Sequence, residues 1–400
     1  MTTPVTTTVP VPVAKTTDTA EEPERRIRLG GVDEGTVLTV VGAAVGSLAL
    51  TWLLYERVLP FSGGFGFAVF WYLAFLATAW GIARLQWDAR TVRERMVQIL
   101  VGGAGLLVVA LILDQIGYVA FRGEHAASHV NFFTQDMERT ATLSPITSGG
   151  ALNAVVGSLE QLGLATLFAV PLGIAAAVFM SEIGGRLARP VRTVVEAMTA
   201  LPSIVAGLFV LGVVILTLGL QKSGFAASLA LTVMMMPIVT RAAEVVIRLV
   251  PGTLREASYA LGGSQWRTVL NVVLPTARPG LVTAVVLGMA RGVGETSPVL
   301  LTSGFTSGMN ANPFSDHQVS LPLYIWNYVR YPAPDMVARG FAAALTLMVL
   351  VLVLFATARI VGGRRPGELS RRQRRRIARD LLADRDLPPA MSRGIPDEEN

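Results

Sequence analysis

Arg291 and Glu295 stand four residues apart inside a long apolar run, 279–303. On a helix that spacing puts two side chains on one face, so the guanidinium and the carboxylate can pair. Arg291 lies twelve residues into the run, close to the midplane if the run crosses a membrane. An unpaired guanidinium at such depth costs roughly 2.5–3.5 kcal/mol, which argues for a role. Two roles stand at this point: a fixed charge in a pathway, or an ion pair between helices. Arg241 and Glu244 form a similar candidate pair nearer the end of their own run, where a structural or topological role fits better. Glu160 is a lone acid inside the run 152–180. It lines a pathway, partners an arginine, or sits near the headgroups.

Other chemistries are excluded or weakly supported. The chain has no cysteine, so thiol nucleophiles, disulfides and thiolate metal sites are absent. His125 and His129 are four apart, as in a metal pair, but no third ligand is near, and with His317 they fall in loops. No Gly-x-x-x-x-Gly-Lys-Ser/Thr loop is present, so the chain cannot bind nucleotide phosphates in that manner. No metal, cofactor or covalent catalysis is expected.

The elements that position these residues are apolar helices. Hydrophobic residues make up 52% of the 400 positions and charged ones only 16%, leaving too little polar sequence for a separate catalytic domain. Eight apolar runs are long enough for membrane-spanning helices: 36–54, 65–83, 96–120, 152–180, 201–220, 225–249, 279–303 and 338–361. Arginines cluster before the first run (Arg25, Arg26, Arg28), between the second and third (Arg84, Arg90, Arg93, Arg95), around 250–278, and after the last. The alternate loops are poor in them. The positive-inside rule therefore puts both termini and residues 250–278 in the cytoplasm of a multi-pass protein of the plasma (inner) membrane. The Arg-rich tail fits topology or contact with anionic membrane lipid better than nucleic acid.

Residues 1–35 are expected to be a disordered cytoplasmic N-terminus, rich in Thr, Pro and Val over 1–24. Residues 36–95 read as a transmembrane hairpin with its cytoplasmic loop, in which Gly42 and Gly46 offer a small-residue packing face. Residues 96–361 form the main transmembrane domain, and 362–400 a basic cytoplasmic tail.

One polar stretch resembles a known device. Glu256, Ala257 and Ser258 open a short polar helix; Gly262 follows, and Val272, Leu274 and Pro275 close the pattern. Small side chains at Ala257, Ser258 and Gly262 allow close approach of a partner, and glycine can end a helix in the left-handed conformation. The spacing resembles the EAA loop of ATP-binding-cassette importer permeases, a cytoplasmic helix that couples to an ATP-hydrolysing subunit.

The segment Ala290-Arg291-Gly292-Val293-Gly294-Glu295-Thr296-Ser297-Pro298 narrows the resemblance to phosphate-importer permeases of the PstA type. Gly149-Gly150, Leu201-Pro202-Ser203 and Met236-Pro237 agree with it. The resemblance covers about two-thirds of the chain. It implies an all-α fold with a type I importer core, here carrying an extra N-terminal hairpin, since such permeases usually have six spans. It also implies partners: a dimer of ATP-binding subunits, a second, PstC-like permease and an extracytoplasmic phosphate-binding protein.

On this resemblance the chain is a transport subunit rather than an enzyme. Coupling falls to Glu256, Ala257, Ser258, Gly262, Leu274 and Pro275, and the substrate pathway to Arg291, Glu295, Thr296 and Arg241. Arginine suits phosphate because its planar donors grip two oxygens and keep their charge. Two rival readings are a permease for another oxyanion, such as molybdate or sulfate, and an autonomous secondary transporter.

Overall fold

A computed structural model describes residues 34–58 and 63–362. The expected disorder of the N-terminus, its arginines and the basic tail beyond 362 lie outside the described residues. Among the described residues the regular elements are all helices, with no strand. It divides into two units, 1–112 and 113–400.

The first unit holds α1 (Glu34–Trp52, continuing as a wide turn Leu53–Val58), α2 (Gly64–Gln86) and the opening of α3 (Ala89–Ala127). Ala43, Ser47 and Thr51 are the buried positions among the described side chains of α1, and the Ala44 carbonyl accepts from Trp71 Nε1 at 3.3 Å. Gly42 and Gly46 lie one step round the helix, exposed, with nothing within 4 Å of where a Cβ would stand. The predicted glycine face is therefore not what joins α1 to α2. Asp88 starts α3: its carboxylate accepts the Thr91 hydroxyl at 2.6 Å, which holds its pKa below the ordinary value. With 39 residues α3 is about 58 Å long, well beyond a hydrocarbon core of ~30 Å, so its polar first turns extend past it.

The second unit is built on α5 (Leu152–Val178), α8 (Gly224–Arg248), α11 (Leu274–Val293) and α14 (Pro334–Gly362). Glycines let these rods approach closely. A Cβ on Gly173 of α5 would stand 3.0 Å from Val239 of α8. On α11, Gly280, Gly288 and Gly292 face Val246, Val239 and Met235 of α8 in turn. That descending order shows α8 and α11 running antiparallel along their lengths. Arg339 in α14 is 1% exposed and donates from Nη2 to the carbonyls of Ser144, Pro145 and Ser148, at 3.2, 2.7 and 2.8 Å. It pins the loop that follows α4 (Val130–Thr134).

Six helices among the described residues are long and apolar enough to span a membrane, or seven if one bent pair counts as a span. Eight were expected, and two apolar runs account for the difference. The first is described as an apolar helix over Val40–Tyr55, and the side chains of 36–39 lie outside the described ones. The run 201–220 gives only the segment Ser203–Thr217, which begins with α7 (Ser203–Val210) and meets α6 (Ala188–Thr199) at 107°. Pro202 sits at that corner and biases Leu201 away from helical geometry.

The run 279–303 is displaced too. The continuous rod spans Gln265–Val293, combining α10 (Gln265–Thr268), a wide turn Val269–Val273 and α11. It breaks at Gly294 and resumes as the short α12 (Ser297–Thr302).

Candidate functional site

The polar stretch 251–263 folds as α9 (Gly252–Ala260), set off by Pro251. Glu256 lies in its middle rather than at its start. The helix ends as its glycines predict. Gly262 takes φ +80°, its N–H donates to the Tyr259 carbonyl at 2.9 Å, and the Gly263 N–H donates to Ser258 at 2.9 Å. These two bonds make a Schellman termination, which requires a left-handed residue at Gly262. A Cβ at Gly263 would stand 2.8 Å from the Ser258 carbonyl, so this corner also needs a glycine there. The Ser258 hydroxyl meets that of Thr268 at 2.8 Å, tying α9 to α10.

Glu182, which the sequence did not single out, and Arg255, which it marked only as one of the arginines that set the topology, hold this loop in place. In the wide turn Phe179–Ile183 that continues the end of α5, Glu182 receives both Nη2 and Nε of Arg255 at 2.7 and 3.2 Å. Arg255 also donates to the carbonyls of Ile247 and Val250 at 2.9 and 2.6 Å, satisfying the end of α8. The signal was present: a solitary acid closing one apolar run and an arginine inside the polar loop. Glu256, Ala257 and Gly262 itself stay exposed, as do Leu254, Tyr259, Leu261 and Trp266. The loop thus offers an exposed apolar face on a rigid base. Leu274 and Pro275, expected to close the loop, instead lie within the rod 265–293. The wide turn at 269–273 directly precedes Pro275, whose missing N–H leaves a gap in the helical bonding there.

At the other end of α11, Arg291 Nη2 and Glu295 Oε1 pair at 3.0 Å. The predicted pair is real, but its setting differs. Arg291 lies in the last turn of its rod, and Glu295 lies past the helix end. The Glu295 side chain is 9% exposed and that of Arg291 53%. The carboxylate is the buried anchor and the guanidinium the open end. Thr296 caps the following helix α12, its carbonyl accepting from Leu300 at 2.9 Å.

The expected Arg241–Glu244 pair does not form. Arg241 reaches across to Glu196 of α6 at 3.1 Å. Glu244, almost buried, takes Arg192 of α6 at 2.8 Å and Arg248 at 2.5 Å. Positions three apart can pair on a helix surface, but α6 brings Glu196 and Arg192 against these two side chains instead. Nor does Arg241 join Arg291: Gly292 faces Met235, six residues from Arg241, or about 9 Å along the axis. Glu160 meets an amide rather than an arginine. Gln318 Nε2 donates to Glu160 Oε2 at 2.6 Å, and Gln318 Oε1 accepts from Gln161 at 3.1 Å. His125 and His129 stand with ring centroids 5.8 Å apart, and no cluster of metal-ligating residues occurs among the described residues.

Residues 169–365, all in the second unit, match the family described as "Binding-protein-dependent transport system inner membrane component". Over 257 residues the chain is 41% identical to "Phosphate transport system permease protein PstA 1" of Mycobacterium tuberculosis, covering 64% of this chain and 84% of that protein. The chain belongs to the PstA-type permeases. A second member, the PstA protein of Haemophilus influenzae, is 35% identical over 233 residues, covering 57% of this chain and 80% of that one. Among solved structures, a bacterial ABC transporter involved in the import of the acidic polysaccharide alginate superposes with a TM-score of 0.45 at 15% identity, over 68% of this chain and 99% of that one. As a PstA-type permease the chain is a multi-pass membrane protein, and the first unit lies outside the region that matches the family.

Proposed function

We propose that this chain is the membrane-spanning permease subunit of an ATP-binding-cassette importer and forms part of the pathway for inorganic phosphate. The observation that carries the reading is the Arg291–Glu295 pair at the break between α11 and α12. A half-exposed guanidinium backed by a buried carboxylate presents planar donors to an oxyanion, while the carboxylate limits how tightly that anion is held. The relatives named as phosphate transport permeases support phosphate as the anion. Thr296 adds a hydroxyl beside the pair. Arg241, about one and a half turns nearer the loop 251–263, offers a second cation along α8.

Transport runs by alternating access. A dimer of separate ATPase subunits closes on ATP and pushes α9 through Glu256, Ala257, Ser258 and Gly262, and the rod 265–293, which includes Leu274 and Pro275, carries that displacement towards Arg291. A second permease completes the pathway, and an extracytoplasmic binding protein delivers the phosphate. Both termini and α9 face the cytoplasm, following the arginine distribution. The test is labelled-phosphate uptake by the reconstituted importer. Loss of uptake in Arg291→Gln with normal assembly is expected, and unchanged uptake would remove Arg291 from the pathway.

A further inference from the structure

The surface of α6 is divided lengthwise. Ala188 and Val195 are buried against the bundle. Leu187, just before the helix, and Pro190, Val194 and Ala197 within it recur at spacings of three and four, so they share one face. All four are exposed, Leu187 at 66% and Val194 at 57%. Arg189, Thr193 and Glu196 form an exposed polar stripe beside them. With 12 residues α6 is about 18 Å long, too short to cross a hydrocarbon core of ~30 Å.

The placement of α6 says what meets that apolar stripe. Arg192 and Glu196 pair with Glu244 and Arg241 near the end of α8. Val210 of α7 packs with Ala226 and Ala230 near its start. The segment Ser203–Thr217 therefore runs back along α8, a helix of membrane-spanning length. Since α6 turns from that segment by 107°, it lies close to the bilayer plane when α8 stands across the membrane. Its level is that of Glu244, about 30 Å along the helix from Gly224, where the hydrocarbon core ends. We propose that α6 lies in the headgroup layer at the α9 end of the bundle, with Leu187, Pro190, Val194 and Ala197 against the acyl boundary and Arg189 among the headgroups. An amphipathic helix beside an arginine suits that depth, because the long basic side chain reaches out to water. The bilayer surface then sets the level of α6 and, through its two ion pairs, steadies the last turns of α8.

The test uses the full-length chain within its membrane complex, reconstituted in vesicles of equal phosphatidylcholine and phosphatidylglycerol. The sequence has no cysteine, so a nitroxide label can be placed at Val194→Cys and, in a second variant, at Thr193→Cys. Collisions of each label with oxygen, which concentrates among acyl chains, are compared with collisions with a nickel chelate, which stays in water. The label at Val194→Cys should meet oxygen more often than the chelate, and the label at Thr193→Cys the reverse. Leu187→Cys, on the same stripe, takes its place if Val194→Cys does not assemble. A stripe label as open to the chelate as the one at Thr193→Cys would mean that α6 stands in water. A stripe label shielded from both reagents would mean that a protein covers it. Either result would overturn the proposal.

Discussion

Arg255 grips both carboxylate oxygens of Glu182, Nη2 to Oε1 at 2.7 Å and Nε to Oε2 at 3.2 Å. The Glu182 side chain is 6% exposed and that of Arg255 20%, so solvent screens the pair little. This two-pronged contact fixes α9 to the end of α5. Gln265 reinforces it, donating to the Glu182 carbonyl at 2.6 Å. Force applied to the exposed face of α9 would reach the helical body through this joint.

Arg255→Ala should therefore loosen α9 without unfolding the bundle. The charge-assisted contact is worth about 1.5–3 kcal/mol. Hydrogen exchange over 251–263 should accelerate in the variant and stay unchanged in α14. Glu256→Gln, at an exposed neighbour, should leave exchange at the wild-type level. Equal acceleration in both variants would mean that the Glu182 joint does not hold the helix.

Gly262→Ala should destabilise the turn through the backbone alone. Its φ of +80° disfavours a side chain by about 1–2 kcal/mol, and nothing lies within 4 Å to clash. Gly252→Ala, at the first residue of α9 with open space and ordinary φ, serves as the control. Thermal stability should fall in the first variant and hold or rise in the second. A fall of the same size in both would point to lost contacts with a partner instead of backbone strain.

Local signals were legible in the sequence. The glycine that ends α9 and the Arg291–Glu295 spacing each depend on a few neighbouring residues, and both came out as read. What failed depended on contacts between distant segments. Arg241 and Glu244 look like partners along the chain, yet α6 supplies Glu196 and Arg192 to them. Hydropathy also misplaced the helix of Arg291. The stretch 265–278 mixes Gln265, Arg267, Asn271 and Arg278 with apolar residues, so its average hides a helix that continues without a break into α11. The bend before α7 was marked only by Pro202, which biases geometry without giving an angle.

Gly288→Leu should separate α11 from α8. A Cβ there would stand 2.5 Å from Val239 Cγ2, in a contact where both side chains belong to rigid helices. Overpacking of this kind costs about 1–3 kcal/mol. Gly163→Ala on α5, with nothing within 4 Å, should be tolerated. The yield of folded, detergent-extracted protein should drop for the first and not for the second. Restoration by pairing Gly288→Leu with Val239→Ala would locate the clash at this crossing.

The pathway role of Arg291 is tested most directly by uptake of labelled phosphate, normalised to inserted protein, in the assembled importer carrying Arg291→Gln. The account predicts loss of uptake with normal assembly, and poor rescue by Arg291→Lys, because a point-like ammonium lacks the planar fork of guanidinium. Wild-type uptake per inserted molecule in Arg291→Gln would contradict it. So would a variant that loses protein abundance and regains it when Arg291 and Glu295 are exchanged, since that result would make the pair a structural fastening only.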